Sequence, residues 1–157
     1  MLIFKNTTGC FTAKVTDFGY STQYLGEEDD IELPQSRPWD APEFHHWVKP
    51  AQARKMDVFS FGMVCLWLLF EKYFSGIKQL PADANWMQGK LKMPQILEEL
   101  KRTKSLVQFA NQLLMAEGDF VAEQKQRLES FFNGSLCDYD SRDIGVMKLF
   151  HHLDFHG

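Results

Sequence analysis

The stretch from Arg54 to Phe74 limits what this chain can become more than any other. Its apolar residues, Met56, Val58, Phe59, Phe61, Met63, Val64, Leu66, Trp67, Leu68, Leu69 and Phe70, spread around nearly the whole circumference of a helix. A surface helix carries one apolar stripe, whereas a helix apolar on every side must be buried on every side. The rest of the chain therefore has to supply layers that wrap this helix. Its most apolar part, Val58 to Phe70, is shorter than the roughly 20 residues a membrane span requires, so it reads as a core helix.

Material for those layers follows it. Ile96, Leu97 and Leu100 recur at helical spacing, and so do Leu106, Phe109, Ala110, Leu113 and Leu114. Two more helices are expected, over about Asp119 to Phe132 with Val121, Leu128 and Phe132 inward, and over about Ser141 to Leu153. Before the central helix the pattern differs. Leu2 to Phe4 and Phe11 to Thr16 read as short strands around the polar, glycine-containing Lys5-Asn6-Thr7-Thr8-Gly9, which suits a hairpin loop. A two-stranded hairpin is marginal in water, so it is expected to need cover from further strands or a helix. From Tyr20 to Pro38 the chain is polar, with an acidic cluster at Glu27 to Asp30, and is expected to be a long loop without a regular element. Pro42 suits the start of a short helical turn through Glu43 to Trp47.

A chain of 157 residues fits one domain. Its 17 Lys and Arg against 21 Asp and Glu give a formal charge of -4, with no basic stripe of the kind that follows a phosphate backbone, so nucleic acid is not an expected partner. The three cysteines, Cys10, Cys65 and Cys137, are far apart and make neither a CxxC pair nor an even set. A soluble protein of a reducing, cytoplasmic compartment is expected, with no membrane association. The histidines His45, His46, His151, His152 and His156 lack cysteine or carboxylate companions at ligand spacing, and Trp39, Trp47, Trp67 and Trp86 read as packing residues.

Three short patterns carry chemistry. Lys14-Val15-Thr16-Asp17-Phe18-Gly19 resembles a strand running into the DFG motif of protein kinases, and Pro38-Trp39-Asp40-Ala41-Pro42-Glu43 is similar to their APE motif. Asp57-Val58-Phe59-Ser60-Phe61-Gly62 resembles the start of the large central helix in the carboxyl-terminal lobe of that family. Each tripeptide alone is weak. DFG followed by APE within a few tens of residues arises by chance in on the order of one chain in ten thousand, before the third pattern is counted.

The resemblance implies a mainly α structure: the C-lobe of the protein-kinase fold, an α+β parent fold, with a short β-hairpin, an activation segment over 17–43 and about five to six helices. Residues 1–157 would form a single partial kinase domain. The amino-terminal lobe, the helix before the catalytic loop and that loop itself would be missing from a truncated chain. The activity implied is ATP-dependent phosphorylation of protein hydroxyls, with ATP and Mg²⁺ as cofactors. Asp17, with Phe18 and Gly19, matches the nucleotide site, and a carboxylate there suits Mg²⁺, a hard cation that prefers oxygen ligands. Ala41, Pro42 and Glu43 match the segment's end, and the resemblance implies an ion pair from Glu43 to an arginine near the last helix, with Arg142 the candidate. Asp57 would accept backbone hydrogen bonds from the catalytic loop, although an aspartate in a first helical turn is also favoured by the helix dipole. Gly62 lies in the same helix. The loop hydroxyls Tyr20, Ser21, Thr22, Tyr24 and Ser36 stand where kinases often carry regulatory phosphates, and equally suit a solvated loop.

Other parts of the kinase pattern do not occur. The sequence has no Gly-rich phosphate loop, no lysine in a Val-Ala-Ile-Lys-like strand and no His-Arg-Asp loop. The chain alone is therefore expected to be inactive, binding ATP and Mg²⁺ weakly if at all. The alternative is a non-catalytic, pseudokinase-like module that meets a protein partner or substrate through an uncovered face of the central helix 54–74. Specificity for Ser/Thr or Tyr stays open, with Pro38-Trp39 nearer the tyrosine-kinase-like pattern.

Overall fold

The computed structural model describes residues 2–146 and 148, and is mainly helical. The central helix, α1, runs Pro50–Leu69. It starts earlier than the apolar pattern suggests because Pro50 takes the first helical position, where its fixed φ is already helical and its missing N–H costs no hydrogen bond. The Lys49 N–H is met by Gln52 Oε1 at 3.0 Å, which closes the helix start. The helix does not continue unbroken to Phe74. Phe70 leaves the helical path (φ -121°, ψ 28°) before a single further turn, α2, Glu71–Phe74. That break turns the Phe70 ring into a cluster with Tyr73, Phe120 and Phe132, at centroid distances of 6.1 to 6.2 Å.

The later helices are α3 (Met93–Arg102), α4 (Leu106–Ala116) and α5 (Ala122–Ser135). Each buries the face its periodicity marks: Ile96, Leu97 and Leu100; Phe109, Ala110, Leu113 and Leu114; Leu128, Phe131 and Phe132. Val121 departs from expectation. It is the extended residue that caps α5 and stands 62% exposed, because the helix begins one residue after it, while Leu128 and Phe132 face inward as expected. α5 packs on α1 and α4, and α4 packs on α3, so the core lies between α1 and the α4–α5 pair. Gly62 makes the α1–α5 approach possible. A Cβ at that position would lie 2.6 Å from Ser135 Oγ and 2.9 Å from Leu136 Cδ2.

The strands are few. β1 (Leu2–Lys5) and β2 (Phe11–Lys14) form an antiparallel hairpin with Leu2 opposite Lys14 and Lys5 opposite Phe11. Asn6 Oδ1 organises its loop by accepting the N–H groups of Thr8 and Cys10 at 3.1 and 2.8 Å, and Gly9 supplies the positive φ of 87° that the reversal needs. A second ribbon was not expected. β3 (Ile31–Glu32) pairs with β4 (Trp47–Val48), which places a regular element inside the polar 20–38 stretch. The same pairing removes the helical turn expected over Glu43 to Trp47: the chain makes one tight turn, Phe44 N–H to Ala41 carbonyl at 3.0 Å, and then extends. Strand pairing continues through Leu33 N–H to the His46 carbonyl at 2.7 Å, an arrangement a local proline cue cannot foresee.

A 3₁₀ turn, Tyr139–Ser141, precedes Arg142, which is extended. The helix expected to start at about Ser141 does not form over its described part: Ser141 ends the 3₁₀ turn, Arg142 is extended so that its guanidinium can turn inward, and only a further 3₁₀ turn follows at 144–146. The rest of that stretch to Leu153, and with it His151, His152 and His156, lies outside the described residues. Among the described residues no helix is long and apolar enough to cross a membrane.

The central helix is not buried on all sides. Asp57 is exposed, Phe61 and Val64 are partly covered, and Leu68 is 49% exposed. The spacing of these residues, four, three and four, puts them on one helical stripe. The described residues cover the opposite side, through Met56, Phe59, Met63 and Leu66.

Candidate functional site

The site grows from one guanidinium. Arg142 is 4% exposed, and its Nη1 donates to Glu43 Oε1 while Nη2 reaches Glu43 Oε2 at 3.4 Å. Nη1 also donates to the Lys55 carbonyl at 3.1 Å, and Nη2 to the Cys137 carbonyl at 3.0 Å. Its planar face lies 4.9 Å from the Phe59 ring centroid. One arginine thus ties together the turn at Glu43, the first half of α1 and the chain after α5. A buried arginine is tolerable only when several acceptors meet its donors, which is the arrangement found.

The chain just before Glu43 is fixed by other means. Ala41 is 4% exposed, and Pro42 beside it faces solvent. Asp40 accepts the Ser36 N–H on both carboxylate oxygens, at 2.8 and 2.9 Å. Lys101 of α3 donates its Nζ to the Pro38 and Asp40 carbonyls at 2.7 and 3.0 Å. Trp39 packs on Trp67 of α1 with ring centroids 5.7 Å apart. Sequence reading passed over Lys101 because nothing in a lysine near the end of an amphipathic helix marks it as the partner of carbonyls about sixty positions away.

Farther back, the acidic cluster meets two cations that sequence reading did not bring to it. Arg54 pairs with Glu27, Nη2 to Oε2 at 2.9 Å, and donates to the Tyr24 hydroxyl at 2.8 Å. Lys49 pairs with Asp30 at 2.9 Å and donates to the Glu28 carbonyl. The Arg54 hydrogen bond holds the Glu27 carboxyl below its ordinary value, and the Gly26 and Leu25 N–H groups do the same for Asp29. These pairs are exposed, so they orient the 24–30 loop more than they stabilise the protein.

Asp17, Phe18 and Gly19 lie apart from this anchorage. All three are exposed, Phe18 by 68%. Asp17 adopts the left-handed region (φ 64°, ψ 73°), which non-glycine residues seldom occupy, and its carboxylate makes no hydrogen bond or ion pair among the described residues. Asp57 likewise has no such partner. It reaches solvent, yet the surrounding protein desolvates its carboxyl enough to raise it above the usual aspartate range. Of the residues the sequence singles out, the structure therefore joins Glu43 to Arg142 and seats Gly62 against α5. It leaves Asp17 and Asp57 without a hydrogen bond or ion pair among the described residues.

Nucleophilic chemistry finds little support here. Burial pushes the Cys65 thiol up to about 12, and burial also raises Cys137, so neither supplies thiolate near neutral pH. Among the described residues no three His, Cys, Asp or Glu side chains gather as a metal-holding group. An open cavity of about 650 Å³ lies beside the Glu43–Arg142 pair, with Leu106, Val107 and Leu136 among its walls. No family model, curated protein or solved structure matches the chain.

Proposed function

We propose that the chain is the C-lobe part of a protein-kinase-like domain whose family activity is ATP-dependent phosphorylation of protein Ser, Thr or Tyr hydroxyls, and that this chain alone is inactive. The observation carrying this reading is the Glu43–Arg142 pair, which links residues 99 positions apart and closes the segment that starts at Asp17-Phe18-Gly19. The left-handed backbone at Asp17 supports it. Strained conformations persist where surrounding structure or function requires them.

The donor chemistry of Asp17 fits Mg²⁺: its carboxylate is exposed and has no competing partner among the described residues, and Mg²⁺ takes one or two carboxylates and draws its other ligands from phosphate and water. Asp17 would hold the Mg²⁺ of a bound MgATP, whose charge would offset that of the phosphates, and Phe18 and Gly19 would shape the turn around that carboxylate. The chain provides no lysine strand or Gly-rich loop for the phosphates and no His-Arg-Asp base.

A second reading, a non-catalytic module that binds a protein partner, is favoured by one specific feature. The stripe of Asp57, Phe61, Val64 and Leu68 on the central helix is incompletely covered, and apolar surface of this kind serves contact with other proteins.

A thermal-shift titration with MgATP, together with an assay for transfer of the labelled γ-phosphate, separates the two. Ligand that binds only the folded state raises the melting temperature once its concentration exceeds the dissociation constant. The expected result is cooperative melting with no phosphoryl transfer. A rise with MgATP that disappears in Asp17→Ala supports a nucleotide site, and no rise supports the binding module. Transfer by the purified chain, abolished in Asp17→Ala, would overturn the claim that it is inactive alone.

A further inference from the structure

On another side of the molecule, the 3₁₀ turn Ala82–Met87 faces the end of α3 and the start of α4 across a cleft of about 230 Å³. Its walls are apolar where Ala84, Met87, Leu100 and Phe109 line it, and each of these is buried. Trp86 lines it too and is 54% exposed.

The polar groups of the cleft are nearly all occupied. Glu99 takes the Arg102 guanidinium at 2.6 and 3.0 Å. The hydroxyls of Thr103 and Ser105 lie 2.9 Å apart and also bond to backbone carbonyls. Gln108 and Gln112 both donate to Asp83 Oδ2, at 3.4 and 2.9 Å. Asp83 is the exception. Two amides orient its carboxylate, but no cation pairs with it among the described residues, and Oδ1 has no hydrogen bond there.

The lining thus combines an oriented, unneutralised carboxylate with an exposed indole and apolar walls. We infer that this cleft receives a lysine or arginine side chain from a protein partner. The methylene stem lies against the apolar walls, as long basic side chains commonly do. The charged head meets Asp83 Oδ1, and the Trp86 ring offers a cation–π contact. An acidic ligand would face Asp83 with no cation free to offset it, so charge selects the occupant. None of these residues belongs to the Asp17 or Glu43–Arg142 regions, and the inference stands whether or not the kinase-like reading holds.

The test is a fluorescence titration of the full chain with N-acetyl-lysine methylamide and its arginine counterpart, using the uncharged norleucine analogue as control. Saturable change in tryptophan emission is expected for the two cationic probes and not for norleucine. The change should be lost in Trp86→Phe, which removes the reporter, and binding should weaken roughly tenfold in Asp83→Asn and fall with added salt. Asp83 is exposed, so the variant is expected to melt like the parent. Equal binding by Asp83→Asn, equal binding of norleucine, a signal unchanged in Trp86→Phe or no saturation would each overturn the proposal.

Discussion

The hairpin and the helical body are built from similarly apolar residues and end in opposite environments. In the hairpin Leu2, Ile3, Phe4 and Phe11 are between 48% and 71% exposed, and the strands pack chiefly on each other. In the body Phe59, Met63, Leu66, Phe109, Phe131 and Phe132 are at most 2% exposed. A helix in this chain meets other helices, whereas among the described residues the hairpin strands meet chiefly each other, with the Lys14–Phe4 and Lys5–Phe11 contacts of 5.3 and 5.7 Å softening their exposure. Apolar character alone therefore does not determine burial. A side chain contributes to stability through the area removed from water, about 25 cal/mol per Å², and that area depends on what lies opposite.

The largest expected effect tests this contrast directly. Phe132→Ala should destabilise the protein by about 3–5 kcal/mol in urea unfolding, because the cavity opens among Phe70, Phe131 and α1. Phe11→Ala and Ile3→Ala should each cost no more than about 0.5 kcal/mol, as surface changes do. A loss above about 2 kcal/mol for either would show that the hairpin is covered in solution, and the contrast would fail.

Next in size is Glu43→Ala, expected to cost about 3 kcal/mol because it leaves a buried guanidinium with carbonyl acceptors alone. Glu43→Gln keeps an acceptor and should cost less. Equal losses would mean that the charge contributes nothing and that packing around Arg142 carries the anchor.

Gly62→Ala should cost about 1–3 kcal/mol by overpacking α1 against α5. The Ser135 hydroxyl that it would strike is buried and has no hydrogen-bond partner among the described residues. Ser135→Ala should therefore be neutral or stabilising by up to about 1 kcal/mol. The double variant should cost less than the two single effects combined, since removing the hydroxyl relieves part of the clash. Strict additivity would break the claim that these two residues set the helix approach.

The smallest effects compare a paired carboxylate with an unpaired one. Glu117 is 7% exposed, and Lys78 donates to both of its oxygens at 3.0 and 2.8 Å, which lowers its carboxyl below the ordinary value. Its contribution is present above the unfolded-state value and is lost as pH falls through the lower folded-state one. Asp57 has the opposite sign. Its carboxyl is raised by desolvation, so folding carries a penalty at neutral pH that is relieved as pH falls through the raised value. Glu117→Gln should flatten the acid side of a melting temperature versus pH curve. Asp57→Asn should raise the curve near neutrality only.

Much of the body was legible in the sequence, since α3, α4 and the inward Leu128 and Phe132 of α5 follow a 3.6-residue period, whereas α1 is apolar all round and its sequence gives no sign of which side stays uncovered. The hairpin was legible too, because Asn6 and Gly9 carry their turn chemistry locally. The β3–β4 ribbon was not, as it pairs segments about sixteen residues apart, the first of loop-like composition and the second following a proline that suits a helical turn. Val121 failed for a related reason: helical spacing gives the phase that Leu128 and Phe132 keep, but not the first helical residue, and Val121 lies just before it in extended conformation.

The candidate site divides in the same way. Residue types and their order pointed to Asp17, Glu43, Asp57 and Arg142. Only the folded chain decided that Arg142 is enclosed by Glu43, Lys55 and Cys137, that Lys101 secures the Pro38 and Asp40 carbonyls, and that Asp57 has no partner among the described residues. Local patterns follow from forces acting within a few residues of chain, and the sequence by itself determines those. Buried charge pairs and close helix approaches depend on which distant atoms share one small volume, and that only the tertiary structure decides.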